Sequence, residues 1–171
     1  MDPSTVSDAD LMRAVQAGER AAWEALYHRW KGPIFAFLLR RSGARVPAEE
    51  ALQETWLRLY RSRARFDPQR PFKAWIFTIA ANAGRDARQP EPDLLRLPEE
   101  LAGPRDPLEL RDALLSALFS LTPGDRRLLL LETEGFEPKE IAAMLGIRPG
   151  TARVRLHRAR QRVAAALGGM P

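Results

Sequence analysis

The chain has 171 residues, 27 basic against 22 acidic, a formal net charge of +5 and no cysteine. The missing thiols exclude disulfides, thiolate zinc sites and thiol nucleophiles. His28 and His157 stand far apart outside any metal-ligand pattern, and no apolar run approaches the roughly 20 residues of a membrane span.

The start, Met1-Asp2-Pro3-Ser4, lacks the basic and apolar regions of a secretory signal. A soluble intracellular protein is therefore expected. The basic excess favours a polyanionic partner. Apart from Lys31, Lys73 and Lys139 the basic residues are all arginine. That bias suits phosphates and guanine edges, but genome composition produces it equally well.

No segment sustains period-two alternation, so the chain reads as all-α. Ser7 and Asp10 form a capping pair ahead of Leu11, Met12 and Val15, and Gly18 interrupts that helix. Trp23, Leu26, Tyr27, Trp30, Ile34, Phe37 and Leu38 follow at helical spacing and read as core, with Pro33 expected to kink or divide their helix. A further helix is predicted from about Pro47 to Arg61. Ala48, Ala51, Leu52, Thr55, Trp56 and Leu59 face inward on it, while Glu50, Gln53, Glu54, Leu57 and Arg58 line the other side. Next comes a basic loop, Arg61 to Pro71, carrying Arg65 and Arg70. Lys73 lies in the helix that is predicted from Phe72 to Arg88. Phe72, Trp75, Ile76, Ile79 and Ala83 form its apolar face; Thr78, Asn82, Arg85 and Arg88 share another.

From Gln89 to Leu108 the composition changes: five prolines and five acids fall within twenty residues. Such proline density argues for an extended acidic tether between two domains. Leu94, Leu95, Leu97 and Leu101 are unusual in a solvated linker and suit packing or docking. The expected division is a helical domain over 1–89, a linker over 90–107 and a second small helical domain over 108–171. In the latter, Leu110, Leu114, Leu118 and Leu121 suggest one helix, ended by Thr122-Pro123-Gly124. Thr122 or Asp125 caps the next, which carries Leu128 to Leu131 before Gly135.

The last segment is the most informative. Ile141, Ala142, Leu145, Gly146 and Ile147 have the character of a helix-turn-helix. Ala142 permits close approach of the two helices, and Gly146 permits a left-handed turn. In the second helix Ala152, Leu156, Ala159, Val163 and Leu167 form an inward stripe. Arg148, Gly150, Thr151, Arg153, Val154, Arg155, His157, Arg158 and Arg160 are left as candidates for contact with duplex DNA, in the manner of a major-groove recognition helix. From Ile147 to Pro171 there are six arginines and no acid.

Three segments carry a resemblance. Ala48-Glu49-Glu50-Ala51-Leu52-Gln53-Glu54-Thr55-Trp56-Leu57-Arg58-Leu59-Tyr60 resembles region 2.2 of the sigma-seventy family, in its extracytoplasmic-function group. Phe72-Lys73-Ala74-Trp75-Ile76-Phe77-Thr78-Ile79-Ala80-Ala81-Asn82 resembles the segment leading into that family's promoter-recognition helix. The run from Gly150 to Arg160 resembles its region 4.2. Two departures stand out. Ala152 replaces a usual larger β-branched residue, and Val154 replaces a frequent serine, so Val154 offers a base only apolar contact.

The resemblance implies a promoter-specificity subunit with no catalysis, cofactor or metal. It places Glu50, Gln53, Glu54, Leu57 and Arg58 on core RNA polymerase. Arg61, Arg65, Arg70, Lys73, Thr78, Asn82, Arg85 and Arg88 go to the downstream promoter element, and the loop receives a flipped base. Trp75 reads as core or as a melting wedge. The arginine-rich helix goes to the upstream element. The acidic tether threads toward the polymerase cleft, or is a plain repulsive spacer. An anti-sigma factor is the further expected partner, able to hold a cytoplasmic protein at the inner membrane face without membrane insertion. The helix-turn-helix alone also fits a stand-alone transcriptional regulator, and a sigma mimic is a third class. A phosphate loop, a metal cluster and a nucleophile–base pair are all missing from the sequence.

Overall fold

The computed structural model describes residues 6–83 and 107–168. Helix α1, Asp8–Gln16, begins where the Ser7 hydroxyl accepts from the Asp10 amide, and it buries Leu11, Met12 and Val15. Gly18, at φ +94°, turns the chain into α2, Arg20–Ser42. Pro33 lies inside α2 without dividing it, contrary to one form of the expectation. The reason is packing: Leu26 on one side of Pro33 and Ile34, Phe37 and Leu38 on the other are all fully buried. Their burial outweighs the roughly 3 kcal/mol that an interior proline costs.

Helix α3, Arg45–Ser62, carries Pro47 in its first turn, where no intrahelical partner is needed for the missing N–H. Ala48, Ala51, Thr55, Trp56 and Leu59 are buried as expected, whereas Leu52 is only half-buried. The buried Thr55 hydroxyl is satisfied by the Ala51 carbonyl at 2.7 Å. A short 3-10 turn over Arg63–Arg65 leads to α4, Phe72–Asn82.

Helix α4 ends earlier than the predicted Arg88, since Ala83 takes an extended backbone at ψ 144°. The Asn82 amide turns back to the Thr78 carbonyl at 2.8 Å, and glycine, a poor helix former, follows Ala83. Phe77, which the expected apolar face omitted, is fully buried and meets Phe37 edge-on at 5.3 Å. Trp75 is half-buried and packs on Phe66 at 5.0 Å and on Phe72 at 6.0 Å.

The chain divides into two compact units, one of Met1–Leu39 with Val46–Ala87 and the other of Arg40–Arg45 with Arg88–Pro171. The tether, its leucines and carboxylates, Arg85 and Arg88 all belong to residues outside those described.

In the second unit α5 spans Pro107–Ser120, α6 Pro123–Thr133, α7 Pro138–Leu145 and α8 Pro149–Gly168. The helix that Leu110, Leu114 and Leu118 suggested is present as α5, but its leucines do not share one buried face. Leu110 is 51% and Leu114 41% exposed, while Leu115, Ala117, Leu118 and Leu121 are buried. A leucine-rich helix offers two stripes, and spacing alone does not choose between them. Leu118 and Leu121 close on Leu129, Ala159 and the half-buried Val163. Thr122, whose hydroxyl accepts from the Asp125 amide at 3.2 Å and donates to the Asp125 carboxylate at 2.8 Å, caps α6. All four residues Leu128 to Leu131 are buried.

Candidate nucleic-acid and partner interfaces

Helix α7 is entered through the Glu137 amide, which donates to the Glu140 carboxylate at 2.8 Å. It ends at Gly146, whose φ of +65° is the left-handed state that glycine adopts without a Cβ penalty. The chain re-enters helix at Pro149, with its proline in the first position of α8. Ala142 and Ala152, 1% and 0% exposed, are the small residues that allow α7 and α8 to close on each other. The predicted inward stripe holds: Ala152, Leu156 and Ala159 are buried, and Val163 and Leu167 are half-buried.

The opposite line of α8 presents Gly150, Val154, His157, Arg158 and Gln161, all exposed. Arg148, Thr151 and Arg153 are exposed beside it. Two other predicted residues differ. Arg155 donates to Asp125 at 2.7 Å, and Arg160 grips Glu132 through two bonds at 2.9 and 2.5 Å. Both carboxylates come from α6. Burial alone would raise the Asp125 carboxyl; hydrogen bonds from Thr122 and Arg155, with the charges of Arg155 and Arg162, outweigh it and hold the group below the usual range. The bond to Glu132 holds the Arg160 guanidinium above its ordinary value. Neither acid stood out in sequence, because each lies roughly thirty residues from its arginine. Gln161 was also missed, as an uncharged residue among arginines.

Within the first unit, the face of α3 away from the core carries Glu50 and Gln53, both exposed, with Leu57 at 43%. Val46 at 64% and Tyr60 at 46% extend that line at the helical spacing of four and three residues. These two apolar positions are the signal that a reading focused on acids passed over. Glu54 and Arg58 differ from their neighbours. They pair with each other at 2.5 Å, and Arg58 also donates to the Asn82 carbonyl at 3.2 Å. Arg58 thereby satisfies an orphan carbonyl at the end of α4.

The basic loop is braced from beneath. Gln16 of α1 donates to the carbonyls of Arg63 at 2.8 Å and Phe66 at 3.2 Å. Phe66 is buried against Phe72 and Trp75. Arg61, Arg65 and Arg70 remain at the surface, and Lys73 is half-buried at the start of α4. The polar groups of Thr78 and Asn82 turn inward on the helix, to the carbonyls of Ala74 and Thr78. Surface guanidinium groups on a fixed loop suit the phosphates of a single strand.

No described helix is long and apolar enough to cross a membrane. Among the described residues no group of three or more metal-binding side chains gathers.

Residues 26–89 match sigma-70 region 2, and residues 111–163 match sigma-70 region 4. The RNA polymerase sigma factor CarQ of Myxococcus xanthus is 40% identical, over 92% of this chain and 95% of that protein. The ECF RNA polymerase sigma factor SigL of Mycobacterium tuberculosis is 32% identical, over 82% of this chain and 86% of its own length. Among solved structures, CnrH in complex with the cytosolic domain of CnrY superposes with a TM-score of 0.71 at 29% identity, covering 96% of this chain and 99% of that one. The sigma factor RpoE of Bartonella quintana, in complex with the anti-sigma factor NepR, shares the fold at a TM-score of 0.69 and 23% identity, over 86% of this chain and 98% of that one. A stand-alone regulator would need the helix-turn-helix alone; here region 2 accompanies it in order. The chain belongs to the sigma-70 family, among the extracytoplasmic-function RNA polymerase sigma factors.

Proposed function

We propose that this sigma factor divides its work among three surfaces. The exposed line of α3 docks on core RNA polymerase, with Glu50 and Gln53 supplying polar complementarity and Val46, Leu57 and Tyr60 the apolar anchors. The loop from Arg61 to Pro71 and the start of α4 at Lys73 hold the separated strand of the downstream promoter element. Helix α8 enters the major groove of the upstream element, its N-terminal half nearest the bases.

The observation that carries this reading is the outward line of α8. It is exposed, flanked by arginines on both sides, and set behind a left-handed glycine turn. In this division Glu54 and Arg58 serve the junction of α3 with α4 more than the polymerase contact, and Thr78 and Asn82 serve α4 itself. An anti-sigma factor is the expected regulator, because the similar CnrH and RpoE structures are complexes with CnrY and NepR. Through it a cytoplasmic chain is brought to the membrane face.

Purified chain added to core polymerase should give transcription that starts at one position of its promoter and stops when either promoter element is scrambled. Initiation that ignores both elements would refute the assignment. Binding of a single-base promoter panel should place Arg158, on the outward line, at one base, where loss of the side chain costs about 1–3 kcal/mol and flattens preference there alone.

A further inference from the structure

On α8 the outward line is bordered by Arg153 and Arg160 on one flank and by Arg155 and Arg162 on the other. Flank positions of a helix seated in a groove face the phosphate walls, where contacts position the helix without reading sequence. On each flank one arginine is already occupied. Glu132 holds Arg160 in the same planar two-bond geometry that a guanidinium uses on phosphate. Asp125 holds Arg155, whose guanidinium lies so close over the start of α6 that a Cβ on Gly124 would stand 2.5 Å from its Nη2. Among the described residues Arg153 has no such acid partner.

We propose that Glu132 and Asp125 set the duplex affinity of α8 by occupying its flanking arginines with internal carboxylates. A non-cognate duplex then gains fewer phosphate contacts. The arginines are released only where the outward line seats against matching base edges. This rests on the reading of α8 as a duplex-binding helix. The exchange is feasible because the Arg160 side chain is 53% exposed and its pair with Glu132 is only partly shielded from water. The freed carboxylate stays at the surface, where water solvates it.

The test uses the full chain assembled with core polymerase and two duplexes of equal length. One is recovered by that holoenzyme from a randomised pool, and the other is its scrambled version. Glu132→Gln keeps the shape of the side chain and removes its charge; helicity and melting temperature should stay at parental values. Binding to the scrambled duplex should strengthen severalfold, and its salt dependence should steepen by about one phosphate's worth. Binding to the recovered duplex, for which the parent must first break the pair, should strengthen at least as much. Arg160→Ala should cancel the gain in the Glu132→Gln background and leave scrambled binding unchanged in the parent.

Three results would overturn the proposal. A gain that survives Arg160→Ala would reflect only the loss of a negative charge. Weakening of both duplexes by Glu132→Gln would mean that the pair aims the helix. No change in the scrambled duplex would mean that Arg160 never reaches phosphate. If Arg153→Ala, Val154→Ala and His157→Ala together leave binding to the recovered duplex unaltered, the groove assignment of α8 itself fails, which is a separate outcome.

Discussion

Arginine does unlike jobs at neighbouring positions, and its partners separate them. Arg126 is 3% exposed and donates to the carbonyls of Leu118, Phe119 and Leu121, closing the end of α5 while its guanidinium lies 4.0 Å over the Phe119 ring. Arg126→Met should destabilise the second unit by about 2–4 kcal/mol, because it strands buried carbonyls. Denaturant unfolding of the variant measures that cost. In contrast, the side chains of Glu50 and Gln53 are exposed and make no hydrogen bond or ion pair among the described residues. Glu50→Lys combined with Gln53→Ala should weaken binding to core polymerase by tenfold or more, about 1.4 kcal/mol, with helicity and melting temperature unaltered. Equal affinity for the parent and the double variant would remove these residues from the docking face. Asp125 gives a pH signature. Its folded carboxyl lies below the ordinary value of 3.8, so its stabilising contribution is full above that value and is lost as pH falls through the folded one. Asp125→Asn should therefore flatten the acid limb of the stability profile.

At the level of elements, the turn between α7 and α8 rests on one backbone state. A Cβ at Gly146 would meet nothing within 4 Å, so its φ of +65° is the whole obstacle to a side chain. Gly146→Ala should cost about 1–2 kcal/mol and Gly146→Asn less, since asparagine tolerates the left-handed region. Thermal melting of the pair checks the order. This turn was legible in sequence because a glycine four residues after a small alanine is a local signal. So were the Ser7 cap, the inward stripe of α8 and most of the core face of α3. The face of α5 was not legible, because Leu110 and Leu114 obey the same period as the buried Leu115 and Leu118. Nor was the occupation of Arg155 and Arg160, which depends on how α6 packs against α8. Local spacing reveals stripes; only packing reveals which arginine on a stripe is already engaged.

For the molecule as a whole, the family matches fall in two blocks with residues 90–110 between them. If each block holds its own core, a fragment of residues 1–92 should still melt cooperatively, remain helical and bind core polymerase. It should lose all affinity for the upstream duplex. A fragment that lacks a cooperative transition would show that the first domain depends on the second. The net charge of +5 has a matching consequence. Affinity for any duplex should fall steeply with salt, so specificity has to be compared at one fixed ionic strength.

The brace that Gln16 lends the basic loop gives that loop a one-sided chemistry. The carbonyls of Arg63 and Phe66 already accept from Gln16, and the Tyr60 carbonyl accepts from the Arg63 guanidinium. Asp67 spends its side chain on the Gln69 amide and on Arg70, and its carbonyl on the Arg70 amide. These acceptors are thus engaged from within, while the guanidinium groups of Arg61 and Arg65 stand outward. A guest at this surface meets donors and finds few acceptors. It is chosen for its lone pairs more than for N–H bonds it could give away.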